Sequence, residues 1–242
     1  PDAGGAGWVL TPASKISTTS GRTVQQRLDA LSDSQILINE QSGVDPTGAT
    51  ESTTAIQNAI NTMGALANGG RVVLRGTYLV NTLNLLNNVT LDMTAGAKLN
   101  FIAQTTPTAP MIRFGSATTP CRNAKIFGGE LDGNRAGHTG AYDEWSPGIM
   151  VWGSYDNVID GVKIHNVNGD CITIGYDSAR IDGSDRNIVR NCELYDPKPG
   201  VRQALAITYG NENKIIYNRK AGIRKTTDIQ HILLRCNLHR CI

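Results

Sequence analysis

Two periods of hydrophobic spacing divide this chain. In GRTVQQRLDAL (21–31), Val24, Leu28 and Leu31 fall on one helical face. A helix this short is marginal alone, so it is expected to pack on something, a sister chain for instance. Ala55, Ile56, Ala59, Ile60, Met63 and Leu66 then form an i, i+1, i+4, i+5 stripe. That stripe predicts a second helix, capped by Ser52 or Thr53 and stopped at Asn68-Gly69-Gly70. At RVVLRGTYLV (71–80) the pattern switches to alternation rich in β-branched residues, the mark of a strand.

From there to about residue 217 only strands are expected, and a weak repeat runs through them. Asn88, Asn123, Asn157, Asn187 and Asn213 each open a short hydrophobic alternation, at spacings of 35, 34, 30 and 26 residues. A fixed turn residue recurring once per unit is what a solenoid needs, because each coil buries its apolar face only by stacking on its neighbours. Aligning 126–133, 160–166 and 190–196 puts Gly129/Val162/Cys192 and Leu131/Ile164/Leu194 inward. The outward columns become Glu130/Lys163/Glu193 and Asp132/His165/Tyr195. A second strand follows in each unit (148–153, 171–175, 204–210), with Pro147, Asp170 and Gln203 at its start. The fold class expected is an all-β solenoid, a single-stranded right-handed parallel β-helix with an N-terminal capping helix. Three segments follow: an association segment (1–40), the β-helix (41–218) and an atypical basic tail (219–242). The tail is either a cap over the open end or the scar of a truncation, with further coils in the natural chain.

Composition narrows the function. Hydrophobic residues are 40% and charged residues 18%, which fits a folded core, and aromatics are only 5% while Gly is plentiful. A net charge of +2 gives no argument for nucleic acid, and no apolar run approaches a membrane span. Six of the Lys/Arg residues crowd into 219–242. The five cysteines have no zinc or CxxC spacing and read as reduced thiols, Cys171 and Cys192 buried. The chain begins at Pro1 without a signal-type segment and reads as an internal piece of a longer polypeptide.

SGRTVQQRLDAL (20–31) followed by SGVDPTGATESTTAIQNAI (42–60) resembles the start of many phage tailspikes and capsule depolymerases. In that family a short helix, a turn and an AIQ-containing helix plug the end of a pectate-lyase-like β-helix. GGRVVLRGTYLV, GGELDGNR, NGDCITI and RQALAITYG resemble its coil strands, so the likeness covers roughly residues 20–217. The resemblance implies a homotrimer that binds bacterial surface polysaccharide, capsule or O-antigen, and joins a phage tail or baseplate protein through its N-terminus. It implies a place on the virion tail, or in the cytoplasm of a lysogen if the gene is a prophage remnant. No cofactor and no metal are expected.

The function expected is depolymerisation of that polysaccharide by glycoside hydrolysis, with a lyase and a non-catalytic spike as alternatives. A glycoside hydrolase needs two carboxyls, about 5–5.5 Å apart for retention and about 6.5–9.5 Å for inversion. Stacked coils supply such distances. Asp132 and Asp170 lead, with Glu130, Asp177 and Asp182 as substitutes; the alternative is that both Asp residues only hold turns. A uronate lyase needs a neutraliser, a base and an acid, which Arg202, His165 and Tyr195 supply in that order. Trp145 and Trp152 offer flat apolar plates for sugar rings, and Gln203 and Asp177 complete the expected binding set. The third function is a carbohydrate-binding spike without catalysis.

Overall fold

The fold is seen in a computed structural model that describes residues 34–38, 41–104, 109–115, 119–139, 146–175, 184–198, 202–221 and 229–234. The first helix expected at 21–31 lies outside these residues, as do Trp145, Asp177, Asp182, Cys236 and Cys241. The chain opens with β1 (Gln35–Leu37), β2 (Thr47–Glu51) and helix α1 (Thr53–Gly64). Full coils follow: β3 (Arg71–Val73), β4 (Thr77–Val80), β5 (Leu83–Leu85), then β6 (Thr90–Asp92), β7 (Lys98–Phe101), β8 (Ile112–Phe114). Next come β9 (Lys125–Phe127), β10 (Glu130–Asp132), β11 (Ile149–Trp152), and β12 (Val158–Asp160), β13 (Lys163–His165), β14 (Ile172–Gly175). The last are β15 (Ile188–Arg190), β16 (Glu193–Tyr195), β17 (Leu205–Ile207), β18 (Asn213–Ala221) and β19 (Ile229–Leu234).

Each full coil from β3 to β17 gives one strand to each of three parallel sheets, and the chain is a right-handed parallel β-helix. Sheet 1 stacks β1-β3-β6-β9-β12-β15-β18, sheet 2 stacks β2-β4-β7-β10-β13-β16-β18, and sheet 3 is five-stranded, β5-β8-β11-β14-β17. Strands of three or four residues suffice because each needs one or two inward side chains. Those side chains stack in files along the axis. Val72, Leu91, Ile126, Ile159, Val189 and Ile215 pair rung to rung in sheet 1, all at most 2% exposed. Leu99, Leu131, Ile164 and Leu194 do the same in sheet 2, and Ile112, Ile149 and Ile172 in sheet 3. β-Branched and leucine side chains fill such files closely, with strands about 4.8 Å apart.

The corners correct one expectation. The five asparagines do not form one column. Asn88 and Asn123 hold left-handed corners, φ 62° and 56°, where they align with Asp156 and Arg186, φ 60° and 54°. Asn157, Asn187 and Asn213 sit one position further on and are buried. There Asn157 Nδ2 donates to Asn187 Oδ1 (3.0 Å) and Asn187 Nδ2 to Asn213 Oδ1 (3.1 Å). Each Oδ1 also accepts the backbone N–H of the coil before it: Ala124, Asn157 and Asn187 in turn, at 2.9–3.1 Å. Asparagine serves both columns for different reasons: its tolerance of positive φ at the corner, and its paired donor and acceptor in the ladder.

The ends also differ from expectation. In α1, Ile56, Ala59, Ile60 and Met63 are buried against the first coils, while Leu66 lies past the helix and is exposed. Ser52 is the N-cap residue, but its hydroxyl accepts the Asp45 N–H rather than capping the helix, and Thr53 accepts the Asn81 N–H. Gln57 of α1 exchanges two hydrogen bonds with the backbone of Asn84 in β5, closing the lower edge of sheet 3. At the other end, β18 continues past residue 218 to pair with β16 through Ala221. Among its described residues the tail contributes an antiparallel strand, β19, paired with β18.

Asn187→Ala removes four buried hydrogen bonds at once. It is expected to lower stability by about 3 kcal/mol in urea unfolding. Asn123→Gly at the neighbouring corner is expected to change it by less than about 0.5 kcal/mol.

Candidate active site on the outer face of sheet 2

The register of sheet 2 places the expected outward columns side by side. Lys98, Glu130, Lys163, Glu193 and Arg219 follow one another in one column, and Asn100, Asp132 and His165 in the next. Glu130 is the hub. Its Oε1 accepts from Lys98 Nζ (3.1 Å) and His165 Nε2 (2.9 Å), and its Oε2 accepts from Lys163 Nζ (3.2 Å). Asp132 Oδ2 also accepts from Lys98 Nζ (3.1 Å). Its Oδ1 accepts from Asn166 Nδ2 (2.9 Å) and from the Asn134 N–H (3.0 Å), so Asp132 holds its turn as well. His165 stacks on Tyr195, ring centroids 4.8 Å apart and planes 8° from parallel. Lys163 Nζ stands 5.5 Å from the centre of the Tyr195 ring.

The electrostatics follow from these contacts. Burial works to raise the Glu130 carboxyl, but hydrogen bonds from His165, Lys98 and Lys163 outweigh it and draw it down to about 2. Asp132 is also lowered: burial opposes, and the Asn134 N–H, Asn166 and Lys98 prevail. Lys98 is raised, since its two carboxylate partners outweigh the cost of burial. Both carboxylates are therefore ionised and hold no proton to give. An ionised Glu130 only accepts, so the neutral form of His165 compatible with this contact carries its proton on Nε2 and leaves the lone pair on Nδ1.

One ligand atom each from Glu130, Asp132 and His165 lies within 4.8 Å of the others, a set that could hold a cation. Here the Lys98 ammonium sits between the two carboxylates. Lys98 is the member that sequence alignment missed.

The other expected residues fall elsewhere. Asp170 precedes β14 in sheet 3, buried, with Oδ1 accepting the Gln203 N–H (2.7 Å) and Oδ2 the Thr173 hydroxyl (3.1 Å). The expected pair Asp132 and Asp170 thus straddles two sheets, and the carboxylate beside Asp132 is Glu130. Arg202 is half-buried and Gln203 exposed on the turn into β17, and Trp152 ends β11, half-buried, on sheet 3. Cys121, Cys171 and Cys192 are buried free thiols, and burial raises all three, Cys121 and Cys192 to about 12.

No family model matches the chain, and no curated protein does. Solved structures do. The chain matches an iota-carrageenase complexed to iota-carrageenan fragments with a TM-score of 0.65 at 15% identity, over 81% of this chain and 44% of the other. It matches the A-module of mannuronan C-5 epimerase AlgE4 from Azotobacter vinelandii at 0.58 and 21% identity, over 75% and 50%. It matches ORF18 of Geobacillus virus E2 at 0.53 and 17% identity, over 81% and 44%. The chain spans about half the length of each of these three. Together they establish the class of protein by fold, a parallel β-helix of the kind those proteins share.

Lys98→Met tests the hub. The Glu130 carboxyl should rise from about 2 toward its usual 4.5, read by carbon NMR of the side chain. A carboxyl depressed in the folded state adds stability above its unfolded pKa and loses it as pH falls toward the folded one. Stability of the native chain should therefore fall between about pH 4.5 and 2, and the variant should lose less over that interval.

Proposed function

We propose that this chain grips an extended acidic polysaccharide along the outer face of sheet 2 and cleaves it by β-elimination. The observation that carries this reading is the stacked pair His165–Tyr195 held beside two carboxylates that are both ionised. Elimination needs no protonated carboxyl. His165 Nδ1 takes the proton from C5 of a uronic acid, and the C5 electron pair forms the C4–C5 double bond. The C4–O bond breaks, and the Tyr195 phenol gives its proton to the departing oxygen. Lys163, more than a third exposed, meets the substrate carboxylate and steadies the charge that gathers there. It takes the part that the sequence assigned to Arg202. Glu130 fixes the His165 tautomer, and Lys98 keeps Glu130 ionised.

A second reading, hydrolysis, draws on one observation. Carboxylate oxygens of Glu130 and Asp132 lie within 4.8 Å, close to the separation of about 5–5.5 Å that retaining glycosidases use. It requires one of them protonated, which Lys98 opposes. The biological setting in this proposal is a phage spike acting on bacterial capsule or O-antigen. The resemblance over residues 20–60 and the match to a phage protein support it. A trimer, docked on the tail through its N-terminus, belongs to the same proposal.

The purified chain, incubated with a panel of capsular polysaccharides, is expected to release products carrying the ultraviolet absorbance of an unsaturated uronate. New reducing ends without that absorbance would establish hydrolysis instead. His165→Gln is expected to lower turnover by about 10²–10⁴-fold while polymer binding persists. Wild-type turnover in that variant would remove His165 from the reaction.

A further inference from the structure

The charge column of sheet 2 has a period. Lys98, Glu130, Lys163, Glu193 and Arg219 are paired rung to rung, so the sign alternates with every coil. Coils stack about 4.8 Å apart, so like charges recur at about 10 Å along the axis. That is close to the length of two linked pyranose rings. A sugar chain laid along the solenoid therefore meets a cation once per disaccharide and a carboxylate once per disaccharide, half a repeat away. Lys163 and Arg219 are open to solvent at the outer end of this column.

We infer that the substrate alternates one acidic sugar with one neutral sugar. The acidic groups stand over Lys163 and Arg219. The neutral rings present hydroxyl or amide donors to Glu130 and Glu193. A polymer with a carboxylate on every ring would set each second one against a glutamate, which selects against it. The substrate class deepens the cleavage proposal and rests on it, because it assumes that the polymer lies on this face. An ordinary stabilising ladder would show no such selectivity.

The test measures binding of equal-length oligosaccharides of hyaluronan and of N-acetylheparosan, which alternate glucuronate with an N-acetylated sugar. Polygalacturonate, acidic at every ring, and neutral dextran are the comparisons. Both alternating polymers are expected to bind about tenfold more tightly than polygalacturonate, with dextran not retained. Glu193→Lys puts a cation on the intervening coil and should narrow the preference to about twofold or less. Glu193→Gln, which adds no like charge beside Lys163 and Arg219, should narrow it partway and serves if the first variant fails to fold. Equal or reversed preference in the native chain overturns the inference, and so does an undiminished preference in the folded variants. Retention of none of the charged polymers overturns the cleavage proposal itself.

Discussion

Everything on the surface of this protein depends on one buried constraint, that each coil stacks on the next without slipping. Apolar files favour stacking but tolerate small slides. The asparagine ladder does not. Asn157 and Asn187 each donate a side-chain amide to the next asparagine, Asn213 donates to the Ser184 carbonyl, and the Oδ1 of all three accepts a backbone N–H. A displaced coil would leave those groups buried and unpaired, which costs far more than a hydrogen bond contributes when made. The ladder lies at the start of sheet 1, yet it fixes the register of sheet 2, since only two residues separate the sheets in the coils that begin with β9, β12 and β15. Rigid stacking inside is what allows charges from distant parts of the chain to meet outside.

The outward columns show what that alignment achieves. Glu130 lies 32 residues from Lys98, 33 from Lys163 and 35 from His165, yet all three bond to it. A lone half-buried carboxylate would be pushed toward its neutral form. Three donors reverse that tendency and hold it ionised. Ionisation in turn dictates the histidine tautomer, because the carboxylate can only accept. A chain of cause thus runs from coil register through charge pairing to the nitrogen that is free to take a proton.

Much of this was legible in the sequence. The alignment of 126–133, 160–166 and 190–196 named both the buried and the outward positions, because inward residues at every second place are apolar in all three. The asparagine columns were misread by one place, since Asn suits a left-handed corner and a buried ladder equally well. Lys98 escaped because the turn before β7 holds five residues, 93–97, where the turn before β10 holds two, 128–129. Spacing from the asparagine therefore no longer reports the rung. The antiparallel tail strand, Ile229–Leu234, was missed because IQHILL lacks the asparagine that opens each repeat and lies in a segment whose flanks are basic. Asp170 was ambiguous from the outset, because a Gly-Asp turn beside a strand looks the same whether it serves chemistry or structure.

The structure separates those two uses by what the oxygens touch. Asp170 holds a backbone N–H of the next coil and a hydroxyl of its own strand, and a substrate could displace the first only by prising coils apart. Glu130 is bonded by three side chains, each able to swing toward an incoming group while the solenoid stays as it is. Asp132 is divided, with Oδ1 tied to its turn and to Asn166 and Oδ2 turned to Lys98. In a scaffold whose backbone is fully committed to stacking, an acid available for chemistry is one whose partners are side chains. By that criterion the proposed reaction centres on Glu130 and His165, while Asp170 Oδ1 is committed to the stacking of sheet 3.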